Sequence, residues 1–183
     1  RLPLAQLRRI QGHCLFRPPD RGADEGVYLA AEVTDDNINN EAKNKGGLWS
    51  VDSMQFAIDV GMKGSSDDRI ECQFGKIIGG QTALYKEAAP FITAEKAPEG
   101  YTQKQSLIEG GVKDVTVSDG KIIYKAFIPS AEIYPFSIAD SDVLKLSVLF
   151  NQHDGTGRIG YLEWNSGIGG GKNPKQYGII SYK

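Results

Sequence analysis

The sequence predicts an all-β fold, an antiparallel β-sandwich. Apolar and polar residues alternate through most of its hydrophobic segments, turn-forming residues punctuate those segments at short intervals, and helical periodicity is scarce. The length fits. At 183 residues, 40% hydrophobic and 24% charged, the chain is sized for one domain spanning 1–183 with a core of its own.

The elements follow in order. "VYLAAEVTDD" (27–36) half-alternates and ends in turn-forming acids. In "SMQFAIDV" (53–60), Met54, Phe56, Ile58 and Val60 face one way, with Gln55, Ala57 and Asp59 opposite. "RIECQFGKII" (69–78) sets Ile70, Cys72 and Phe74 against Glu71 and Gln73. "DVTVSDGKIIYKAFIP" (114–129) is two strands around Ser118-Asp119-Gly120, a hairpin signature. "VLKLSVLFN" (143–151) aligns Leu144, Leu146, Val148 and Phe150, and "RIGYLEW" (158–164) and "YGIISY" (177–182) close the chain. The best helical candidate is one turn in "PSAEIYPF" (129–136), capped by Ser130 and stopped by Pro135. The polar stretch "DNINNEAKNKGG" (36–47) reads as a long exposed loop.

Several function classes find no support. A net charge of −2 with both signs interspersed leaves no footprint for nucleic acid or an anionic membrane. No apolar run is long enough to cross a bilayer. The opening "RLPLAQLRRIQGHCLF" lacks the compact apolar stretch and cleavage site of a leader. Cys14 and Cys72 allow one disulfide. His13 and His153 are the only histidines, and no nucleophile motif or zinc spacing accompanies them. A glycosidase needs two facing carboxylates, for which Glu71 and Glu163 are conceivable partners. The expectation is a protein that is not an enzyme.

The tail "DGTGRIGYLEWNSGIGGGKNPKQYG" (154–178) invites a nucleotide reading, since Gly155, Gly157 and Gly160 match G-x-G-x-x-G. A dinucleotide fingerprint requires a helix after its glycines, because the helix N-terminus binds the pyrophosphate. Here the strand-like "YLEW" follows, and no acid lies beyond Glu163 to hold a ribose. As a phosphate-binding P-loop, "GIGGGKNP" has Ser166 in the first glycine position and Asn173 after Lys172. Two glycine-rich turns remain, set around Trp164.

The ordered set "YLAAEVTDD", "LWSVDSMQFAIDV" and "FNQHDGTGRIGYLEWNSGIGGGKNPKQYG" resembles the family 9 carbohydrate-binding modules and their DOMON-like relatives. The resemblance runs from Val27 to the C-terminus; residues 1–26 lack the Trp-x-Asp opening common in that family. It implies a sandwich that binds mono-, oligo- or polysaccharide without cleaving it, within a larger secreted or cell-surface chain that degrades polysaccharide. A sugar ring offers an apolar C–H face to an aromatic side chain and a hydroxyl rim to amides and carboxylates. The resemblance places Trp49 as the stacking platform, with Gln55, Glu71 or Gln73, and Asn151 as hydroxyl partners. In any sandwich, Gln55 and Gln73 would equally suit a solvated strand face. Trp164 is a further candidate for sugar contact as a second platform; it corresponds to a more structural tryptophan of the family, and packing in the core is its other reading. The family's second clamping tryptophan falls on Gly171, leaving Lys172, Asn173 or Tyr177 to supply contacts there. Asp35, Asp36, Asp52 and Asp59 offer hard oxygen donors for the structural calcium the family often carries, Asp35 and Asp36 foremost; as turn formers the four need no metal. Two further readings stand beside sugar binding. One is a haem-binding electron-transfer domain, with Met54 or Met62 as axial ligand. The other is a structural or adhesive module that binds no sugar.

Overall fold

The computed structural model describes residues 13–17 and 26–182, so the leader expectation and the Cys14 thiol fall outside the described residues. Strand alternation resolves into two antiparallel sheets packed face to face. The smaller sheet has the order β1 (His13–Arg17), β2 (Gly26–Thr34), β9 (Lys121–Pro129) and β8 (Val112–Ser118). The larger runs β11 (Arg158–Trp164), β10 (Val143–His153), β4 (Ser53–Asp59), β5 (Arg69–Ile77), β6 (Gln81–Ala88) and β7 (Ser106–Leu107). Two short strands complete it: β12 (Gly178–Ser181) on β10, and β3 (Glu41–Ala42) parallel to β5.

The core lies between the sheets. From the smaller come Val27, Leu29 and Val33 of β2 with Ile122, Tyr124 and Ile128 of β9. From the larger come the alternating residues the sequence assigns inward: Met54, Phe56 and Ile58; Ile70, Cys72 and Phe74; Leu144, Leu146, Val148 and Phe150. Each fully buried large side chain contributes about 1.5–3 kcal/mol by leaving water. Cys72 is a buried free thiol within this core. Met54 is fully buried there too, and Met62 packs partly buried against it, so both take part in core packing.

The hairpin between β8 and β9 turns at Asp119 and Gly120, both with positive φ, as its sequence requires. Elsewhere the structure departs from expectation. Segment 36–47 is folded: β3 joins the sheet, Ala42 is buried, and a 3-10 turn over Lys45–Ser50 buries Leu48. The turn at Ser130–Ile133 is a 3-10 turn preceded by Pro129, and no side chain caps it. Strand β6 escapes the sequence pattern because Lys86 takes a position that alternation reserves for an apolar residue. Lys86 reaches the buried Glu132 at 2.5 Å, and Glu132 also accepts from the Thr102 amide and hydroxyl. The Tyr101 ring covers the ammonium at 4.4 Å. A buried charge is tolerated only when so completely partnered.

Candidate functional site

Strand register builds the site on the outer face of the larger sheet. Leu149 stands opposite Gln55, and Gln55 opposite Gln73; one rung along, Ser147 faces Ala57, and Ala57 faces Glu71. Side chains directly opposite leave the same face, so two short polar rungs cross three strands. In an uncovered sheet these glutamines would be solvated. Both are buried instead.

Two covers lie over this face. The 3-10 turn at 45–50 seats Leu48 against the sheet, where the Ser53 hydroxyl donates to the Leu48 carbonyl at 2.6 Å. The next residue, Trp49, keeps its ring 48% exposed at the rim. The second cover is the glycine-rich segment 165–173, whose Ile168 packs with Tyr177 on Ala57 and Leu149. Glu163, at the end of β11, fixes this loop by accepting from the Ile168 amide at 2.6 Å and the Gly169 amide at 3.3 Å. Gly167 has φ +110°, and any Cβ there would strike the Asn173 carbonyl and the Tyr177 ring. A Cβ at Gly169 would strike the Tyr161 ring. These glycines serve close packing of a loop onto a sheet, not phosphate.

Between the covers opens a cleft of about 210 Å³. Gln55, Gln73, Glu71 and Leu149 floor it, while Trp49, Glu87 and Arg158 border it with Ile168, Gly169 and Lys172 of the loop. Gln73 is committed: its carbonyl accepts from the Trp49 amide at 2.9 Å, and its NH₂ donates to Glu87 at 3.1 Å. No group among the described residues engages the Gln55 side-chain amide. Glu71 is occupied on both oxygens, by the Arg69 Nε at 3.3 Å and by the Lys172 ammonium. Arg158 donates from Nε to Asn151 Oδ1 at 2.8 Å, and Asn151 in turn donates to Ser53 Oγ at 3.0 Å. The guanidinium carbon lies 5.0 Å from the centre of the Tyr161 ring and 5.9 Å from that of Trp49. Partial burial lowers the Arg158 pKa from its ordinary value. A larger hollow, about 620 Å³, is bordered by Ile38, Asn39, Glu41, Lys43, Val51 and His153, and no Trp, Tyr or Phe side chain lines it.

Trp49, Gln55, Glu71, Gln73 and Lys172 are therefore brought together as the sequence singles them out. Asn151 stands one step behind and orients Arg158. Tyr177 lies buried beneath the loop, its hydroxyl without a partner among the described residues, and burial pushes its pKa up. Asn173 accepts from the Lys175 amide at 3.2 Å and caps the turn Pro174–Gln176. Trp164 is not in the cleft. Its register partner is Val148, which directs it to the core side of an edge strand, and its ring is 48% exposed. It is thus not in the core either. Arg158, Glu87 and Tyr161 escaped the sequence reading. The signal for Arg158 was the hairpin itself, whose return arm begins with this residue and folds back beside Asn151.

Asp35 accepts from the Asn37 amide at 2.9 Å in a turn, and Asp36 follows it on the surface. Among the described residues no three Asp, Glu, His or Cys side chains form a group able to hold a metal ion. Asp52 accepts from the Asn39 and His153 amides, and burial raises its pKa to about 7, with the Asp35 charge adding to the effect. Glu163, the conceivable catalytic partner of Glu71, is engaged by the loop amides.

No family model matches the chain, and no curated protein matches it in sequence. Among solved structures, a family 9 carbohydrate-binding module from Caldicellulosiruptor kristjanssonii, in complex with glucose, superposes with a TM-score of 0.61 at 13% identity, over 95% of this chain and 84% of that one. Its complex with cellotriose gives the same score and identity over 94% and 82%. A Bacteroides uniformis protein provisionally described as carbohydrate-binding superposes with a TM-score of 0.54 at 13% identity, over 95% and 87%. The chain, with its two packed antiparallel sheets, has the β-sandwich fold of the family 9 carbohydrate-binding modules.

Proposed function

We propose that the protein binds carbohydrate without cleaving it, as a module of a larger secreted or cell-surface chain directed at polysaccharide. One observation carries this reading: a half-exposed Trp49 ring borders a cleft floored by a Gln55 amide that no described residue engages. The ring supplies a stacking surface for the C–H face of a sugar, and the amide offers both donor and acceptor to its hydroxyls. Engagement of Glu71 by two cations and of Glu163 by loop amides supports binding over hydrolysis. The glucose and cellotriose held by the Caldicellulosiruptor module indicate which ligands to try first.

Calorimetric titration with glucose, xylose and cello-oligosaccharides is expected to give micromolar to millimolar binding. Trp49→Ala is expected to weaken it at least about tenfold, since a lost stack plus its buried area exceeds 1.4 kcal/mol. A cooperatively folded protein that titrates no sugar would instead support the structural or adhesive reading. Calcium at Asp35 and Asp36 is a separable part of the proposal. With two carboxylates it would draw its remaining oxygens from backbone and amide groups. A melting temperature that rises on adding calcium and falls with chelator supports it, and an unchanged one removes it.

A further inference from the structure

The charges around the cleft are not evenly matched. At the cleft, Arg69 and Lys172 share Glu71, while the Glu87 carboxylate accepts from the Gln73 NH₂. Arg158 alone among the cations lining the cleft has no carboxylate partner among the described residues. It is also held still. Asn151 fixes its Nε, and the Trp49 and Tyr161 rings flank its guanidinium. With Nε committed to the protein, the Nη groups remain for a ligand. Planar paired N–H groups match a carboxylate better than single hydroxyls, and a partly desolvated guanidinium gains more from an anion than from a neutral acceptor.

We propose that the cleft takes an acidic glycan, with a uronic acid ring stacked on Trp49 and its carboxylate on the Nη pair of Arg158. This rests on the carbohydrate-binding reading. It adds the sugar class and gives Arg158 the role of selecting it. The carboxylate of a uronic acid projects from the edge of the sugar ring, and the Arg158 guanidinium lies over the Trp49 ring, 5.9 Å from its centre. Gln55, beneath, remains available to the ring hydroxyls.

The test compares glucuronic with glucose oligosaccharides, and galacturonic with galactose oligosaccharides, by calorimetry at low and raised salt. A uronate is expected to bind about tenfold tighter than its neutral counterpart at low salt, with the preference shrinking as salt screens the charge. Arg158→Gln is expected to weaken both classes and abolish the preference, while Arg158→Lys, which keeps the charge but loses the fork, retains part of it. Melting curves for both variants show whether the fold survives. Neutral sugars binding as tightly as uronates would overturn the acidic-glycan inference and leave carbohydrate binding standing. Silence from both panels would overturn the two together.

Discussion

Gln55 and Gln73 stand opposite each other on neighbouring strands, yet their side chains do different work. Gln73 spends its carbonyl on the Trp49 amide and so positions the platform, whereas no described residue engages the Gln55 amide. Gln55→Ala should therefore change folding stability by less than about 1 kcal/mol while weakening sugar binding by about 1 kcal/mol per lost hydrogen bond, roughly fivefold. Parallel melting and titration of this variant separate the two effects. Alternation alone puts both glutamines on the non-core face, and that much the sequence makes plain. What covers them is supplied by Trp49 from one side and by Ile168 from the other, more than 90 residues beyond Gln73. No local pattern carries that information. The same distance effect hid Arg158, whose importance depends on Asn151 across a turn and on Trp49 far earlier in the chain.

Among the elements, strands were legible wherever the period of two stayed intact, as in β4, β5 and β10. It failed for β6, where a buried Lys86 stands in the apolar series, and its partner Glu132 comes from a turn 46 residues away. The segment 36–47 misled for a different reason: it is polar, but its backbone is tied down by β3 and by the Asp52 carboxylate on the Asn39 amide. The glycine-rich loop could be denied a phosphate role from sequence, since no helix follows, but its actual task of lying close against Tyr161 and Tyr177 required the fold. That loop also leaves room. A Cβ at Gly171 meets nothing within 4 Å, and its backbone is not in the left-handed region. Gly171→Trp, returning an aromatic to the position where the resembled family clamps its sugar, should tighten binding by about 0.5–1.5 kcal/mol, some two- to twelvefold. Titration against the parent protein reads this directly, and unchanged affinity would show that the loop cannot bring the ring over Trp49.

At the scale of the molecule, Asp52 links the folded loop at residue 39 to the end of β10 through two backbone amides. Its carboxyl rises from an ordinary 3.8 to about 7 because burial disfavours the charged form. The native state therefore holds a proton that the unfolded chain releases, so stability is fully present below about pH 4 and is lost as pH climbs toward 7. The loss from this group is on the order of 2–4 kcal/mol. Melting across this range should show the decline, and Asp52→Asn, which cannot titrate, should flatten it. The sheets themselves, one sharing its inner face with the other, were foreseeable from composition and alternation. The second layer over the outer face was not, because it consists of turns that have no periodicity to read. That layer has an evolutionary consequence. Both walls of the cleft are loops laid on a finished sheet, and neither belongs to the core between the sheets. Substitutions that retarget the cleft therefore draw little on the margin of folding stability, so descendants of this chain are free to diversify in the ligand they select faster than the scaffold drifts in shape.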